Sequence, residues 1–350
     1  PSDPGSVRVD RPQRLRRPVT GSLPAVSVVI PVRDEAAAVE GAVASALGQA
    51  YDGDLEVVVA DAMSTDGTRE ALAQIAAADQ RVRVVDNPAR TTPAGLNAAI
   101  VASRGDIIVR CDAHAELPAG YVARAVEVLD EVGADNVGGI QDPQGRGTFS
   151  RAVASAMRSL LGAGGATYRL GRAPGPAETV YLGVFRRDGL RRSGLFDESL
   201  LRNQDYELNH RIAATGGLVY FDPELRVTYQ PRSSWKGLWR QYWQYGAWKR
   251  VVARRHPDSV RLRQLIPVVF VVGLGVSVGL ALTGRHRLGA VVPGVYGGAV
   301  LLTSAMAAQR AEPGAALLPI VIPTMHLAWG TGFLFGSAKA DASRIPSLTR

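Results

Sequence analysis

Three apolar runs near the C-terminal end of this 350-residue chain constrain its fold more than any other feature. Leu265–Thr283, Leu288–Ala308 and Ala315–Gly336 contain no Lys, Arg, Asp or Glu. A helix of about 20 residues spans the roughly 30 Å hydrocarbon core of a bilayer, so each run is long enough to cross one. Core helices of a soluble domain are the competing reading. Three in succession, rich in Gly and joined by a few polar residues, favour insertion. The stretch before about Gln264 alternates apolar and charged residues and reads as a soluble domain. Residues 1–24, with Pro, Ser, Gly and Arg but no periodicity, read as a disordered basic arm, and 341–350 as a tail. The single cysteine, Cys111, excludes a disulfide scaffold and a cysteine-rich zinc site.

The formal charge of +8 is concentrated next to the first run. Between Leu225 and Arg263 stand ten basic residues (Arg226, Arg232, Lys236, Arg240, Lys249, Arg250, Arg254, Arg255, Arg261 and Arg263) against one acid, Asp258. Such a patch before an apolar span reads as a cytoplasmic juxtamembrane segment on anionic lipid. No recognised nucleic-acid motif accompanies it, so a nucleic-acid partner is not expected. Trp235, Trp239 and Trp243 recur every four residues among these cations, one stripe of a helix. Either the stripe lies in the lipid headgroup layer or it belongs to an ordinary amphipathic helix packed on the sheet.

In the soluble part, strand-like and helix-like segments follow each other in strict turn. Val26–Ile30, Leu55–Ala60, Val82–Val85 and Asp106–Arg110 are short apolar runs of the buried-strand kind. Ala36–Ala50, Thr68–Ala78 and Pro93–Ser103 have helical composition. This alternation predicts an α/β fold with a doubly wound, mostly parallel sheet. Further on, Gly162–Pro176 reads as a Gly/Pro-rich loop, Val180–Phe185 and Leu218–Phe221 as strands, and Tyr206–Ala214 as a helix.

Ligands of open α/β sheets bind beyond the carboxyl ends of the strands. Four such ends carry polar groups: Pro31 with Arg33-Asp34-Glu35; Asp61 with Ser64–Gly67; Asn87 with Arg90; and Asp112 with His114. No glycine fingerprint of a dinucleotide site and no P-loop follows the first strand. Asp112 and His114, two apart at a strand end, can reach one cation of the Mn²⁺ or Mg²⁺ kind. They are equally compatible with a helix cap and a surface histidine. Asp205 opens a helix, which suits either a cap or a rigidly held base.

In order and spacing, Val26–Glu35 (VSVVIPVRDE), Asp61–Thr68 (DAMSTDGT), Asp112-Ala-His114 and Gln204-Asp205 resemble the family 2 glycosyltransferases of the GT-A fold. The nearest resemblance is to the membrane-anchored succinoglycan-biosynthesis type, over about Val26 to Lys249. The resemblance implies a catalytic domain over 25–232, an amphipathic interface segment over 233–263 and about three membrane helices over 264–340. It also implies inverting transfer from a nucleotide-diphosphate sugar to a polyprenyl-linked or other lipid-anchored glycan, at the cytoplasmic face of the cell membrane by a multi-pass protein. A bare polyprenyl phosphate acceptor and a non-catalytic sugar-nucleotide-binding module are the alternatives. By the family pattern Pro31, Val32, Arg33, Glu35, Asp61, Arg90 and Asp112 bind the sugar nucleotide. Asp112 and His114 fall on the Asp-x-Asp metal motif, for a divalent cation. Asp205 falls on the general base. Three departures stand out: His114 for the second motif Asp, Ala62-Met63 for an acidic-glycine pair, and Gln204 for Glu. Ala247 also stands where the Gln-x-x-Arg-Trp motif of processive synthases has Arg, which favours single-sugar addition.

Overall fold

A computed structural model describes residues 22–171 and 173–337. Except for residues 22–24, the expected basic arm lies outside the described residues, as does the tail. Eight strands form one sheet: β1 (Val26–Val32), β2 (Leu55–Asp61), β3 (Val82–Asp86), β4 (Ile107–Arg110), β5 (Asn136–Pro143), β6 (Gly175–Pro176), β7 (Tyr181–Arg186) and β8 (Val219–Tyr229). Their order across the sheet is β3-β2-β1-β4-β7-β5-β8-β6.

The first half follows from residue type. β1 and β2 are runs of β-branched residues buried on both faces, which suits parallel strands covered by helices. Val28 and Ile30 of β1, with Val57 and Val59 of β2, join a core beneath α1 (Val39–Leu47), α2 (Thr68–Ala78) and α4 (Tyr121–Val132). The alternate residues Val29, Val58 and Ile108 turn the other way, onto Leu96 and Ile100 of α3 (Thr92–Ala102). Each fully buried side chain of this size contributes roughly 1.5–3 kcal/mol of transfer free energy. Parallel pairing of β1 with β2 and β4 brings Val32 beside Asp61 and Val29 beside Arg110, so their carboxyl ends open on one edge.

The second half departs from simple alternation. β7 is antiparallel to both β4 and β5. The chain leaves β5, passes through α5 (Thr148–Arg158), α6 (Leu160–Ala163), α7 (Thr167–Leu170) and β6, and re-enters the sheet without a crossover across its face. The expected loop over Gly162–Pro176 thus contains short helical turns and a two-residue strand. Where β5 shifts register against its neighbours, a Cβ on Gly139 would lie 1.6 Å from the Leu225 carbonyl oxygen, so β8 can approach only a glycine there.

After α8 (Arg187–Ser193), α9 (Gln204–Ala214) and α10 (Trp235–Arg255) come α11 (Leu262–Leu282), α12 (His286–Gly289), α13 (Val291–Gln309) and α14 (Leu318–Phe335). Three stretches, Leu262–Leu282, His286–Gln309 and Ala315–Phe335, are long and apolar enough to cross a membrane. Their surroundings differ: 6% and 11% of the first two are buried, against 50% of the third. α14 runs alongside α10 in the same direction. Trp235 Nε1 donates to Thr324 Oγ1 at 3.0 Å, and Arg250 Nη1 donates to the Leu334 carbonyl at 2.8 Å. Of the tryptophan stripe, Trp239 and Trp243 pack into the α5/α10/α14 cluster, which Tyr229 at the end of β8 also joins.

Candidate active site

The loops after β1 and β2 are laced together by reciprocal hydrogen bonds. The Asp34 amide donates to Ser64 Oγ at 2.9 Å, and the Thr65 amide donates back to Asp34 Oδ1 at 3.0 Å. The Glu35 amide donates to Thr68 Oγ1 at 2.9 Å. Pro31, Val32, Arg33 and Glu35 are therefore held in one rigid rim against Asp61. Asp61 is fully buried, and its carboxylate accepts from Arg69 Nη1 at 2.7 Å and from the Ser64 amide. Arg69 was not anticipated; a cation at the start of the helix that follows a strand-end acid was the signal available. Arg90 lies at the turn after β3 with φ of 56° and its side chain exposed.

At the end of β4 the geometry centres on Arg110, which the sequence reading did not single out. Its guanidinium is 7% exposed. Nε and Nη2 donate to Asp112 Oδ1 at 3.0 and 2.9 Å, and Nη1 donates to Asp205 Oδ1. One cation thus ties the motif acid to the candidate base, although 95 residues separate Arg110 from Asp205. Arg110 and Asp112 are two apart along extended chain and so face the same way, the one clue to their partnership. Both hydrogen bonds from Arg110 fall on Oδ1 of Asp112. His114 is half-exposed, with Nδ1 3.5 Å from Glu35 Oε1. Among the described residues no group of three or more His, Cys, Asp or Glu is gathered to hold an ion by itself.

Asp205 stands in the first turn of α9, which starts at Asn203 in a left-handed conformation (φ 62°) that asparagine tolerates. α9 is pinned from below: Glu207, almost wholly buried, accepts from Arg211 at 2.7 Å and lies 3.1 Å from His256 Nε2 just beyond α10. Asp205 lies deep in the cleft, yet its side chain keeps 42% exposure to the void. Burial raises its carboxyl above the ordinary aspartate range. Arg110 opposes that shift and the neighbouring Asp112 adds to it. A carboxylate raised in this way is a better proton acceptor than a free one.

Arg110, Asp112, His114 and Asp205 open on a cavity of about 1470 Å³ whose far wall is made by Ile266 and Pro267 of α11, Leu302 and Met306 of α13, and Trp329 of α14. The rim residues Pro31, Val32, Arg33, Glu35, Asp61 and Arg90 lie outside this cavity, on the β1–β3 side.

Residues 27–194 match the family model described as glycosyl transferase family 2. The chain is 32% identical over 309 residues to the succinoglycan biosynthesis protein ExoA of Rhizobium meliloti (strain 1021), covering 87% of this chain and 93% of that protein. It is 23% identical over 328 residues to a dolichyl N-acetyl-alpha-D-glucosaminyl phosphate 3-beta-D-2,3-diacetamido-2,3-dideoxy-beta-D-glucuronosyltransferase of Methanococcus voltae, covering 91% and 98%. The fold is shared with the mannosyltransferase PcManGT of Pyrobaculum calidifontis, solved in complex with GDP-Man and Mn²⁺. That likeness has a TM-score of 0.59 and 23% identity and covers 90% of this chain and 88% of that one. With the sheet order, the strand-end acids and these similarities in hand, the chain belongs to glycosyl transferase family 2 and is a glycosyltransferase that uses a nucleotide sugar.

Proposed function

We propose that the protein transfers a sugar, with inversion, from a nucleotide-diphosphate sugar to a glycan carried on a membrane lipid. The observation that carries this reading is the cavity shared by Asp112, Asp205 and the apolar helices α11, α13 and α14. It is larger than the roughly 300–1,000 Å³ of an ordinary small-molecule pocket. Its apolar wall admits a lipid while its polar end meets the sugar donor. The names of the relatives, one in succinoglycan biosynthesis and one with a dolichyl-linked acceptor, accord with it.

In this reading the nucleoside occupies the rim made by Pro31, Val32, Arg33, Glu35, Asp61 and Arg90. Asp205 takes the proton of the acceptor hydroxyl, and its fixed seat on α9 aligns that hydroxyl for in-line attack. Asp112 and His114 would hold a divalent cation of the kind seen in the Pyrobaculum enzyme. Two protein donors suit an ion completed by substrate phosphates. Such an ion, when bound, would supply positive charge to stabilise a departing diphosphate. Arg110 orients both carboxylates through its hydrogen bonds to Asp112 and Asp205.

At the membrane, α11 and α13 form an antiparallel hairpin that crosses the bilayer, whereas α14 lies along α10 on the catalytic side. The catalytic domain faces the cytoplasm. Incubating the detergent-purified full-length protein with radiolabelled nucleotide sugars, Mn²⁺ and a lipid extract tests the function. Label should move to the organic phase, and label appearing only as free sugar would overturn the reading.

A further inference from the structure

The helix that carries Asp205 is gripped from behind by the chain that leads into the membrane end. At about 100° per residue, Tyr206, Glu207 and His210 lie on the side of α9 away from Asp205. The Tyr206 hydroxyl donates to the Ser259 carbonyl. His256 Nε2 lies 3.1 Å from Glu207 Oε1, and His210 Nε2 lies 3.4 Å from Asp258 Oδ2. His256 follows α10 directly, Pro257–Ser259 form one tight turn, and Leu262 opens the first apolar span. The two imidazoles lie side by side, with ring centroids 5.0 Å apart.

We propose that His210 and His256 are positioning residues for Asp205: uncharged, they clasp α9 to the turn before the first apolar span, and protonating them loosens the clasp and unseats the base. This rests on the reading of Asp205 as the base. The surrounding charges set the direction. Glu207 is already matched within α9 by Arg211, through Nε at 2.7 Å and Nη2 at 2.8 Å. Asp258, on the turn, is 76% exposed, so solvent screens its pull on His210. Lys249 of α10, over the Tyr206 ring, is a further cation beside the pair, whereas Arg255 turns to Asp197. A proton on each ring therefore puts two cations 5.0 Å apart with little free negative charge to hold them. Burial lowers His210 below the ordinary histidine value; Asp258 opposes this and His256 adds to it. As pH falls below about 6.5 the unfolded or detached ring takes the proton before the clasped one does, so the clasp weakens on acidification.

The test follows backbone hydrogen exchange of α9 by mass spectrometry, in the full-length protein in detergent, at about pH 7.5 and about pH 5.5. Corrected for the intrinsic effect of pH on exchange, wild-type α9 should open about tenfold more at the lower pH. Glutamine keeps a nitrogen near the place of Nε2 but takes no proton, so the doubly substituted protein, His210→Gln with His256→Gln, should lose that response. His256→Leu removes the contact to Glu207. Its α9 should exchange fast at both pH values, and in the label-transfer assay kcat should fall by about tenfold with the nucleotide-sugar KM unchanged. His256→Gln should restore most of that loss at neutral pH. Unchanged exchange across β1–β4 verifies the fold of each variant, and Asp205 and His114, present in all of them, cancel in the comparison. Wild-type α9 exchange that ignores pH overturns the proposal, as does a response that survives in the doubly substituted protein or a His256→Leu protein with normal kcat. Should α9 respond as expected while no nucleotide sugar yields transfer, the clasp stands and the reading of Asp205 as the base falls.

Discussion

The carboxyl edge of β1–β4 and the chamber between α7, α9, α10 and α14 are adjacent halves of one site with opposite chemistry. The first carries the acids Asp34, Glu35 and Asp112 and the buried, Arg69-paired Asp61. The second surrounds Asp205 with Arg169, Lys249 and a set of tyrosines. In the first, each polar group ends its own strand or stands a few residues beyond it, and neighbouring loops are laced together, as Asp34 is to Ser64 and Thr65. In the second, partners come from far apart in the chain, as when Asn203 Nδ2 donates to the Tyr245 carbonyl at 3.2 Å. A site for a soluble, phosphate-rich substrate can be assembled from consecutive βα units. The proposed site for a lipid-borne one is walled by helices from the apolar C-terminal part of the chain. Arg110 is the joint between the halves, holding Asp112 of one and Asp205 of the other.

The largest effect should come from removing the base. Asp205→Asn preserves shape but cannot accept the proton, so kcat should fall by about 10²–10⁴-fold with sugar-nucleotide affinity nearly unchanged. Turnover within a few-fold of wild type would break the assignment of chemistry to the chamber side. Arg110→Gln comes next and probes the joint. Its loss frees two carboxylates that repel each other, and hydrogen bonds to charged groups of this kind are worth about 1.5–3 kcal/mol. Because Asp112 and Asp205 both face solvent-filled space, the lower end is expected in the melting transition. Kinetically, KM for the sugar nucleotide should rise together with the fall in kcat, unlike Asp205→Asn. A change in kcat alone would show that the joint serves only the chamber.

How legible each half was in the sequence follows the same division. β1 to β4 announce themselves as β-branched runs ending in acids, because parallel strands buried on both faces tolerate little else. β7 gave no sign of being antiparallel, since direction depends on where the chain re-enters the sheet. The basic stretch from Leu225 to Arg263 was read as one lipid-facing patch, and the structure divides it. Arg232, Lys236, Arg240 and Arg254 stay exposed, whereas Lys249 is buried and Arg255 and Arg263 pair with Asp197 and Glu178. Charge counts along a sequence do not reveal which cations turn inward. The three apolar runs were legible as helices, but not the half-buried seat of the third against α10, which depends on side chains some 90 residues away.

That seat supplies the next two tests. A Cβ on Gly246 would fall 2.0 Å from the Trp329 carbonyl oxygen, so Gly246→Ala must push α10 and α14 apart. Overpacking of this sort costs about 1–3 kcal/mol. The melting temperature and lipid-acceptor binding should drop while nucleotide-sugar binding holds, if the halves are separable. Loss of both bindings together would argue against two halves. A reporter fused after Arg350 reads the path of α14. Its N-terminal approach touches the catalytic side, where a Cβ on Gly314 would lie 2.6 Å from the Ala152 amide, and its C-terminal end is held by Arg250. Cytoplasmic fluorescence without periplasmic phosphatase activity is expected; phosphatase activity would mean that α14 crosses.

The smallest effect isolates one proton. Burial lowers the Lys249 ammonium from 10.5 to about 7, against a partial counter-effect from Glu178, with Arg263 and Arg261 adding to the depression. Tyr206 is the ring beneath it. Between about pH 7 and the unfolded lysine value near 10.4, the unfolded chain holds this proton and the folded one does not. Stability of the ligand-free protein therefore rises with pH across that window. Below about pH 7 both states are charged, and the folded state bears the full cost of a buried ammonium. Lys249→Met removes that cost. The variant should melt above the wild type at about pH 6, and the gap should close as the pH approaches about 10. Other groups titrate in the same range, but they are common to both proteins and cancel in the difference. A gap that stays constant with pH would mean that Lys249 is held charged by the fold itself.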